Sequence, residues 1–260
     1  METQLEYGNW IRKKNLLILG LCAFVAGALI FIPLGSIYRL TVTILFILIL
    51  ISFLFPLYAY VMFSQKGGRL QEKVYNLIIQ NLGPNVKGKI LDIGSGNGVL
   101  AVKLSQQHSE AEVLGMDYWG KDWEYSKSVC EKNARIGNVQ SRVRFQKGDA
   151  AALEFAADTF DAATSNLTFH EVKSVTDKRE VMCEALRVVK PGGAFAFVDY
   201  FFDEQYYGKA SEFESFLKGL KLSQFKYKPL RDMIAIPILL RHPKILGKVG
   251  IIYGRKLGGD

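Results

Sequence analysis

The amino-acid sequence predicts a doubly wound, mostly parallel α/β domain preceded by an apolar α-helical hairpin. Three observations carry this: one long apolar block, a strand-helix alternation after it, and a glycine-rich turn behind the first predicted strand. From Asn15 to Gln65, a run of 51 residues, Arg39 is the only charged residue, whereas charges are spread throughout from Lys66 onward. On this reading so uneven a distribution excludes a purely soluble protein, and a single block excludes a polytopic transporter. The predicted domains are a membrane anchor over 1–65 and a globular domain over 66–260.

Within the block, Leu16 to Gly35 and Leu40 to Phe63 are each long enough at helical rise to cross a hydrocarbon core. The link Ser36-Ile37-Tyr38-Arg39 is short, so the two spans form an antiparallel pair, with Pro33 near the end of the first and Pro56 inside the second. Ala23 and Gly27 form a small-xxx-small pair that could face the partner helix. Arg12, Lys13 and Lys14 precede the first span and Lys66, Arg69 and Lys73 follow the second, while the link carries Arg39 alone. That asymmetry predicts a multi-pass membrane protein with both termini and the globular domain cytoplasmic. A cleaved signal peptide fits poorly, because no A-x-A-like site follows the first apolar run.

The formal charge is +8, from 33 Lys plus Arg against 25 Asp plus Glu. No basic run or RNA-binding motif accompanies it, so nucleic acid is not an expected partner, and a basic surface beside a membrane helix suits anionic headgroups. Cys22, Cys130 and Cys183 are scattered and form no CxxC pair, and the histidines number three, so neither a disulfide framework nor a metal site is expected.

From Gly67 the elements alternate. An amphipathic helix over about 69–82 stops at Gly83-Pro84. Strand 89–93, helix 99–107, strand 113–117, helix 124–135 and strand 143–146 follow, then strand 160–165, helix 177–189 and strand 194–200. Strands separated by helices imply a parallel sheet whose ligands bind at the carboxyl ends of the strands. Beyond it, 213–220 reads as helix and 249–253 as a last strand. The apolar run Met233 to Leu240, followed by Arg241-His242-Pro243-Lys244, is open between a lid, an interfacial segment and an ordinary core strand.

The first strand ends in Leu91-Asp92-Ile93-Gly94-Ser95-Gly96-Asn97-Gly98. A dinucleotide fingerprint would read G-x-G-x-x-G, but position 99 is Val. Asp92-x-Gly94-x-Gly96-x-Gly98 instead resembles motif I of the class I S-adenosylmethionine-dependent methyltransferases. Later segments resemble the same family in order: Val113-Leu114-Gly115-Met116-Asp117, Gly148-Asp149-Ala150, Phe160 to Asn166, and Glu184 to Gly193 with its Lys190-Pro191-Gly192-Gly193 turn. The central region looks most like the ubiquinone and menaquinone C-methyltransferase branch, among the enzymes of methyltransferase type 11.

The resemblance implies a Rossmann-like seven-stranded sheet with an antiparallel last strand, and S-adenosyl-L-methionine as cofactor. It implies that Asp92 assists the methionine amino group, that Gly94, Ser95, Gly96, Asn97 and Gly98 line the cofactor, and that Asp117 accepts both ribose hydroxyls. Tyr118 or Trp119 would lie against adenine, Asp149 with Ala150 would meet the adenine amino group, and Asn166 would border the cofactor. Trp123 is read as structural. Methyl transfer from a sulfonium mainly needs alignment and exclusion of water, with a base only where the acceptor must lose a proton. His170, just past the fourth strand, is the candidate base, and equally a loop histidine that shapes the pocket, while Glu171 and Tyr200 are weaker candidates. The expected acceptor is a small, lipophilic or membrane-associated molecule of the quinone, phenol or lipid class. The alternative is a noncatalytic membrane-anchored adaptor that keeps the cofactor-binding fold.

Overall fold

A computed structural model describes residues 4–120 and 124–258; Trp123 lies outside the described residues. The chain divides into two compact units, Tyr7–Glu72 and, together, Met1–Glu6 with Lys73–Asp260.

In the first unit, α1 (Lys13–Leu29) and α2 (Ser36–Phe63) form an antiparallel pair. Small residues set their approach: a Cβ on Gly20 would sit 3.2 Å from the Phe53 ring, and one on Gly27 would sit 3.2 Å from the Phe46 ring. Ala23, on the same face, is buried, while Leu17, Phe24, Ile44, Leu48 and Ile51 are exposed. The helices are therefore apolar on their outer faces as well as in their seam.

The two apolar stretches differ in two respects from the expected pair of spans: α1 stops early, and the predicted link, residues 36–39, is helical, forming the first turn of α2. Helix α2 has 28 residues, about 42 Å at 1.5 Å per residue, and is the one helix among the described residues long and apolar enough to cross a membrane. Helix α1 has 17 residues, about 26 Å, and ends at Leu29 instead of reaching residue 35. Pro33 is the cause, since the residue before a proline is pushed out of the helical region. The chain leaves the helix through two tight turns, Phe31 N to Ala28 O and Ile32 N to Leu29 O.

Helix α3 (Leu70–Leu82) leads into the second unit. There follow β1 (Gly88–Ile93), α4 (Val99–Gln107), β2 (Ala111–Asp117), α5 (Lys127–Ile136), β3 (Val143–Lys147) and β4 (Phe160–Asn166). Then come α6 (Lys178–Arg187), β5 (Val189–Asp199), α7 (Glu204–Tyr207), α8 (Ala210–Gly219), β6 (Leu222–Pro229) and β7 (Gly250–Lys256). The seven strands form one sheet in the order β3-β2-β1-β4-β5-β7-β6, parallel from β3 to β5. β7 pairs antiparallel with both β5 and β6. Chain order reverses between β1 and β4, so a crevice opens at the carboxyl ends of those strands.

The predicted elements agree closely with these bounds, although the short helix α7 has no predicted counterpart, and there are three further differences. β5 begins at Val189 because Val189 pairs with Phe160 across an irregularity in β4. β6 has no counterpart among the predicted strands, although Phe225-Lys226-Tyr227-Lys228 alternates; it is the edge strand, and Lys226 and Lys228 point charge outward as edges require. The run 233–240 is not a strand. Pro237 and Pro243 remove backbone donors, and the segment forms short turns at Leu230–Asp232, Ile238–Arg241 and Pro243–Gly247.

The core lies between the sheet and its helices, with Leu91, Ile93, Phe195, Phe197 and Ile252 facing Val181, Ala185 and Phe213. Ile252 is fully buried. Trimming it to Val should lower unfolding stability by about 1 kcal/mol, readable from the urea midpoint, because the surrounding side chains only partly close the gap.

Candidate active site

The glycine-rich turn is built so that backbone, not side chain, lines the crevice. Gly94 has φ +76°, and a Cβ there would lie 1.8 Å from Thr168 Oγ1, so no other residue fits both the torsion and the space. The Gly94 and Ser95 amides both donate to Met116 O, at 2.7 and 3.0 Å, which ties the turn to β2. The Gly98 amide donates to Ser95 O at 2.7 Å, and α4 starts directly after it.

Two carboxylates flank the turn. Asp92, in β1, is buried; its Oδ1 accepts from Thr164 Oγ1 at 2.9 Å, and its Oδ2 has no hydrogen-bond partner among the described residues. Burial pushes its carboxyl up to about 7, with a further upward push from Asp117, against the bond from Thr164. Asp117 ends β2. Its Oδ2 accepts from the Gly96 amide at 2.8 Å and its Oδ1 from the Trp119 amide at 2.8 Å, and burial raises its pKa against these bonds. Each oxygen of Asp117 keeps a second lone-pair site for another donor.

Ser95 Oγ, Asn97 Oδ1 and Asn166 Oδ1 are likewise buried without a partner among the described residues. Native interiors satisfy their polar groups, so four such atoms around one strand-end crevice mark a place meant for a polar ligand. Asp149 turns the chain after β3, its Oδ1 accepting from the Ala151 amide at 2.9 Å, with Ala150 buried beside it. Tyr118 is 65% exposed, with Lys147 Nζ 5.0 Å from its ring centre. Trp119 acts differently: its Nε1 donates to Gly96 O at 2.9 Å, so the indole clamps the turn.

A third element holds the turn from behind. Asn133 is buried in α5; its Nδ2 donates to Asn97 O at 2.8 Å and to Glu6 O at 3.0 Å, while its Oδ1 accepts from the Glu6 amide at 2.8 Å. The Glu6 carboxylate also pairs with Lys132. Asn133 thus fastens Glu6 to the glycine-rich loop.

His170 sits in a single turn, Phe169–Glu171, after β4. Its Nδ1 lies 2.8 Å from Asp199 Oδ1 and its amide donates to Asp199 Oδ2 at 3.3 Å, so with Nδ1 protonated the Nε2 atom is the free base. Nε2 is 3.6 Å from Glu171 Oε1, and the ring lies against Tyr200 and Tyr206, with centres 4.7 and 5.5 Å away. Burial pulls the imidazole pKa down, but the Asp199 carboxylate, its hydrogen bond and Glu171 outweigh burial and Lys178, and the net shift is upward. Asp199, fully buried at the end of β5, escaped the sequence reading. The signal was there: an acid at a strand's carboxyl end is what singled out Asp117.

The structure thus gathers Asp92, Gly94, Ser95, Gly96, Asn97, Gly98, Asp117 and Asn166 around the ends of β1, β2 and β4, and sets His170 with Asp199 at the ends of β4 and β5. Asp149 and Tyr118 follow the ends of β3 and β2.

Residues 91–197 match the family described as methyltransferase domain. A demethylmenaquinone methyltransferase of Deinococcus radiodurans is 26% identical over 112 residues, 43% of this chain and 43% of that protein. A ubiquinone/menaquinone biosynthesis C-methyltransferase of a Marinomonas species is 33% identical over 112 residues, 43% of this chain and 42% of that protein. The chain therefore spans less than half the length of these curated relatives. Among solved structures, geranyl diphosphate C-methyltransferase of Streptomyces coelicolor, in complex with magnesium, geranyl diphosphate and S-adenosyl-L-homocysteine, aligns with a TM-score of 0.56 at 14% identity over 88% of each chain. The cyclase SpnF aligns with a TM-score of 0.54 at 17% identity, covering 72% of this chain and 82% of that one. At such identities the likeness is one of fold. The domain match, the strand order and the motif I turn together liken residues 91–197 to the class I S-adenosylmethionine-dependent methyltransferases.

Proposed function

We propose that the chain is a membrane-anchored methyltransferase that uses S-adenosyl-L-methionine on a small lipophilic acceptor of the quinone, phenol or lipid class. The observation that carries the cofactor is the set of buried unpartnered atoms, Asp92 Oδ2, Ser95 Oγ, Asn97 Oδ1 and Asn166 Oδ1, around the glycine turn. The donor set fits: Asp92 suits an ammonium, Asp117 a pair of hydroxyls, and Asp149 with Ala150 an exocyclic amine. Bound there, S-adenosylmethionine supplies a methyl group on a sulfonium that is already a good leaving group.

The chain's own residues then align and deprotonate the acceptor. His170 Nε2 takes the acceptor's proton, and Asp199 holds the Nδ1 proton and stabilises the imidazolium that results. The Tyr200 and Tyr206 rings shield that proton transfer from water. The acceptor class draws support from the quinone methyltransferase relatives and from the apolar helices, which would hold the site near membrane-dissolved molecules.

In this reading α1 and α2 both insert, with α1 short enough to need local thinning of the bilayer or snorkelling of Lys13 and Lys14. Both termini and the methyltransferase domain are cytoplasmic. Reporter fusions at either end should both give the cytoplasmic signal; an external signal at one end would overturn the hairpin. The activity itself is tested with full-length protein in lipid nanodiscs, methyl-tritiated cofactor and demethylated quinols. Label recovered in the organic extract is expected. Cofactor binding with no label in quinols, phenols or lipids would favour the noncatalytic adaptor.

A further inference from the structure

The segment between β6 and β7 is the part of the second unit that the cofactor site leaves unexplained. Its three short turns, Leu230–Asp232, Ile238–Arg241 and Pro243–Gly247, pack against one another. Leu230, Ile236, Leu240 and Leu246 are buried and pin the segment down. Arg241 Nε donates to Ile236 O at 3.0 Å, and the Ile245 and Gly247 amides donate to His242 O at 2.9 and 3.0 Å. The tip is therefore held in one shape.

That shape presents Ile238 and Leu239 at 79% and 56% exposure. Elsewhere in this unit, among the described residues, the exposed large apolar side chains are Tyr118 and Leu257, so the adjacent pair is a concentrated apolar spot. Arg231, Arg241 and Lys244 are exposed on the same group of turns, with Asp232 as the one acid, 3.9 Å from Arg231. The segment also reaches the acceptor side of the site. Tyr200 Oη donates to Ile245 O at 2.7 Å, and the Tyr200 ring rests on His170.

We propose that this tip docks on the headgroup layer of an anionic bilayer, with Ile238 and Leu239 entering the acyl boundary and Arg231, Arg241 and Lys244 meeting lipid phosphates. Charge complementarity selects the occupant. Two apolar side chains are too small a surface for a stable protein interface, whereas an apolar tip with a cationic rim suits a headgroup layer. The inference rests on the membrane-delivered acceptor for its purpose, and it gives the acceptor a point of entry beside the Tyr200–Ile245 contact.

The test places a nitroxide label at Leu239→Cys in the full-length chain, with Cys22→Ala and Cys183→Ser to remove the two exposed thiols. A control label goes at Glu112→Cys, an exposed position at the amino end of β2. The protein is reconstituted in phosphatidylcholine nanodiscs with and without roughly one-quarter phosphatidylglycerol. In the anionic discs, collision of the Leu239 label with a water-soluble nickel chelate should fall several-fold while the Glu112 label stays accessible. The protection should weaken in neutral discs and with Arg241→Glu plus Lys244→Glu, whose thermal melts verify folding. Equal chelate access at both labels in anionic discs would overturn the proposal. So would dipolar coupling between two Leu239 labels, which would mean that a second copy covers the tip. Label immersion is read without any turnover, so a failure of docking and a failure of methyl transfer are separate results.

Discussion

Replacing Asp117 with Ala should weaken S-adenosylmethionine binding by about 3 kcal/mol, on the order of 100-fold in Kd. The carboxylate has two duties. It anchors the Gly96 and Trp119 amides, so that the glycine turn and the end of β2 keep their spacing, and in the proposed reading it also offers one acceptor site per oxygen to a pair of hydroxyls. Removing it leaves two amides unpaired and the ligand's hydroxyls without a charged acceptor. Calorimetry on the full-length protein in detergent reads the Kd, and thermal melts without ligand read the part owed to the amides alone. A variant that binds as tightly as the parent would take Asp117 out of the site.

His170→Ala should lower turnover on the order of 100-fold or more while leaving cofactor Kd within a factor of two or so. The pH dependence identifies the cause. Because the folded pKa of His170 lies above the ordinary histidine value, the parent's turnover should rise as pH climbs through that raised value and Nε2 loses its proton. Stability runs the other way: the bond to Asp199 contributes fully below the unfolded pKa and is lost as pH rises through the folded one. Asp199→Asn should move the kinetic inflection to lower pH, since a neutral amide no longer favours the imidazolium, and should lower the high-pH plateau through loss of the held tautomer. An inflection unmoved in both variants would reduce His170 to a residue that shapes the pocket.

Asp92 gives a further pH signature. Its carboxyl, pushed up to about 7, favours the protonated form in the folded chain, so its ionisation costs stability as pH rises from the ordinary carboxylate range to about 7. An ammonium-bearing ligand reverses that preference. Cofactor binding should therefore tighten as pH rises through about 7 and release a proton to buffer below it, measurable as a buffer-dependent heat.

The parallel half of the sheet was legible in the sequence because short strand stretches such as 89–93 and 113–117 alternate with helical patterns, and Asp92 and Asp117 stand at their carboxyl ends. The glycine turn was legible for a related reason: three glycines at alternate positions after a strand suit a backbone that takes positive φ at Gly94, Gly96 and Gly98. β6 was not, since Lys226 and Lys228 dilute its alternation and an edge strand has only one partner to satisfy. Asp199 was legible as an acid at a strand's carboxyl end, but its pairing with His170 was not, since periodicity does not encode contacts between distant residues. For the apolar run 233–240 hydropathy did not separate a core strand from an outward-facing segment; Pro237 and Pro243, on either side of Ile238 and Leu239, turn that pair outward.

The most direct test of the central claim is calorimetric titration of the full-length protein in detergent with S-adenosylmethionine and S-adenosylhomocysteine, beside the Asp117→Ala variant. The account predicts one-to-one binding in the micromolar range for both ligands in the parent, and a Kd on the order of 100-fold weaker in a variant that remains folded. No binding to a folded parent protein would contradict it, and with it the assignment of the crevice between β1 and β4 as a cofactor site.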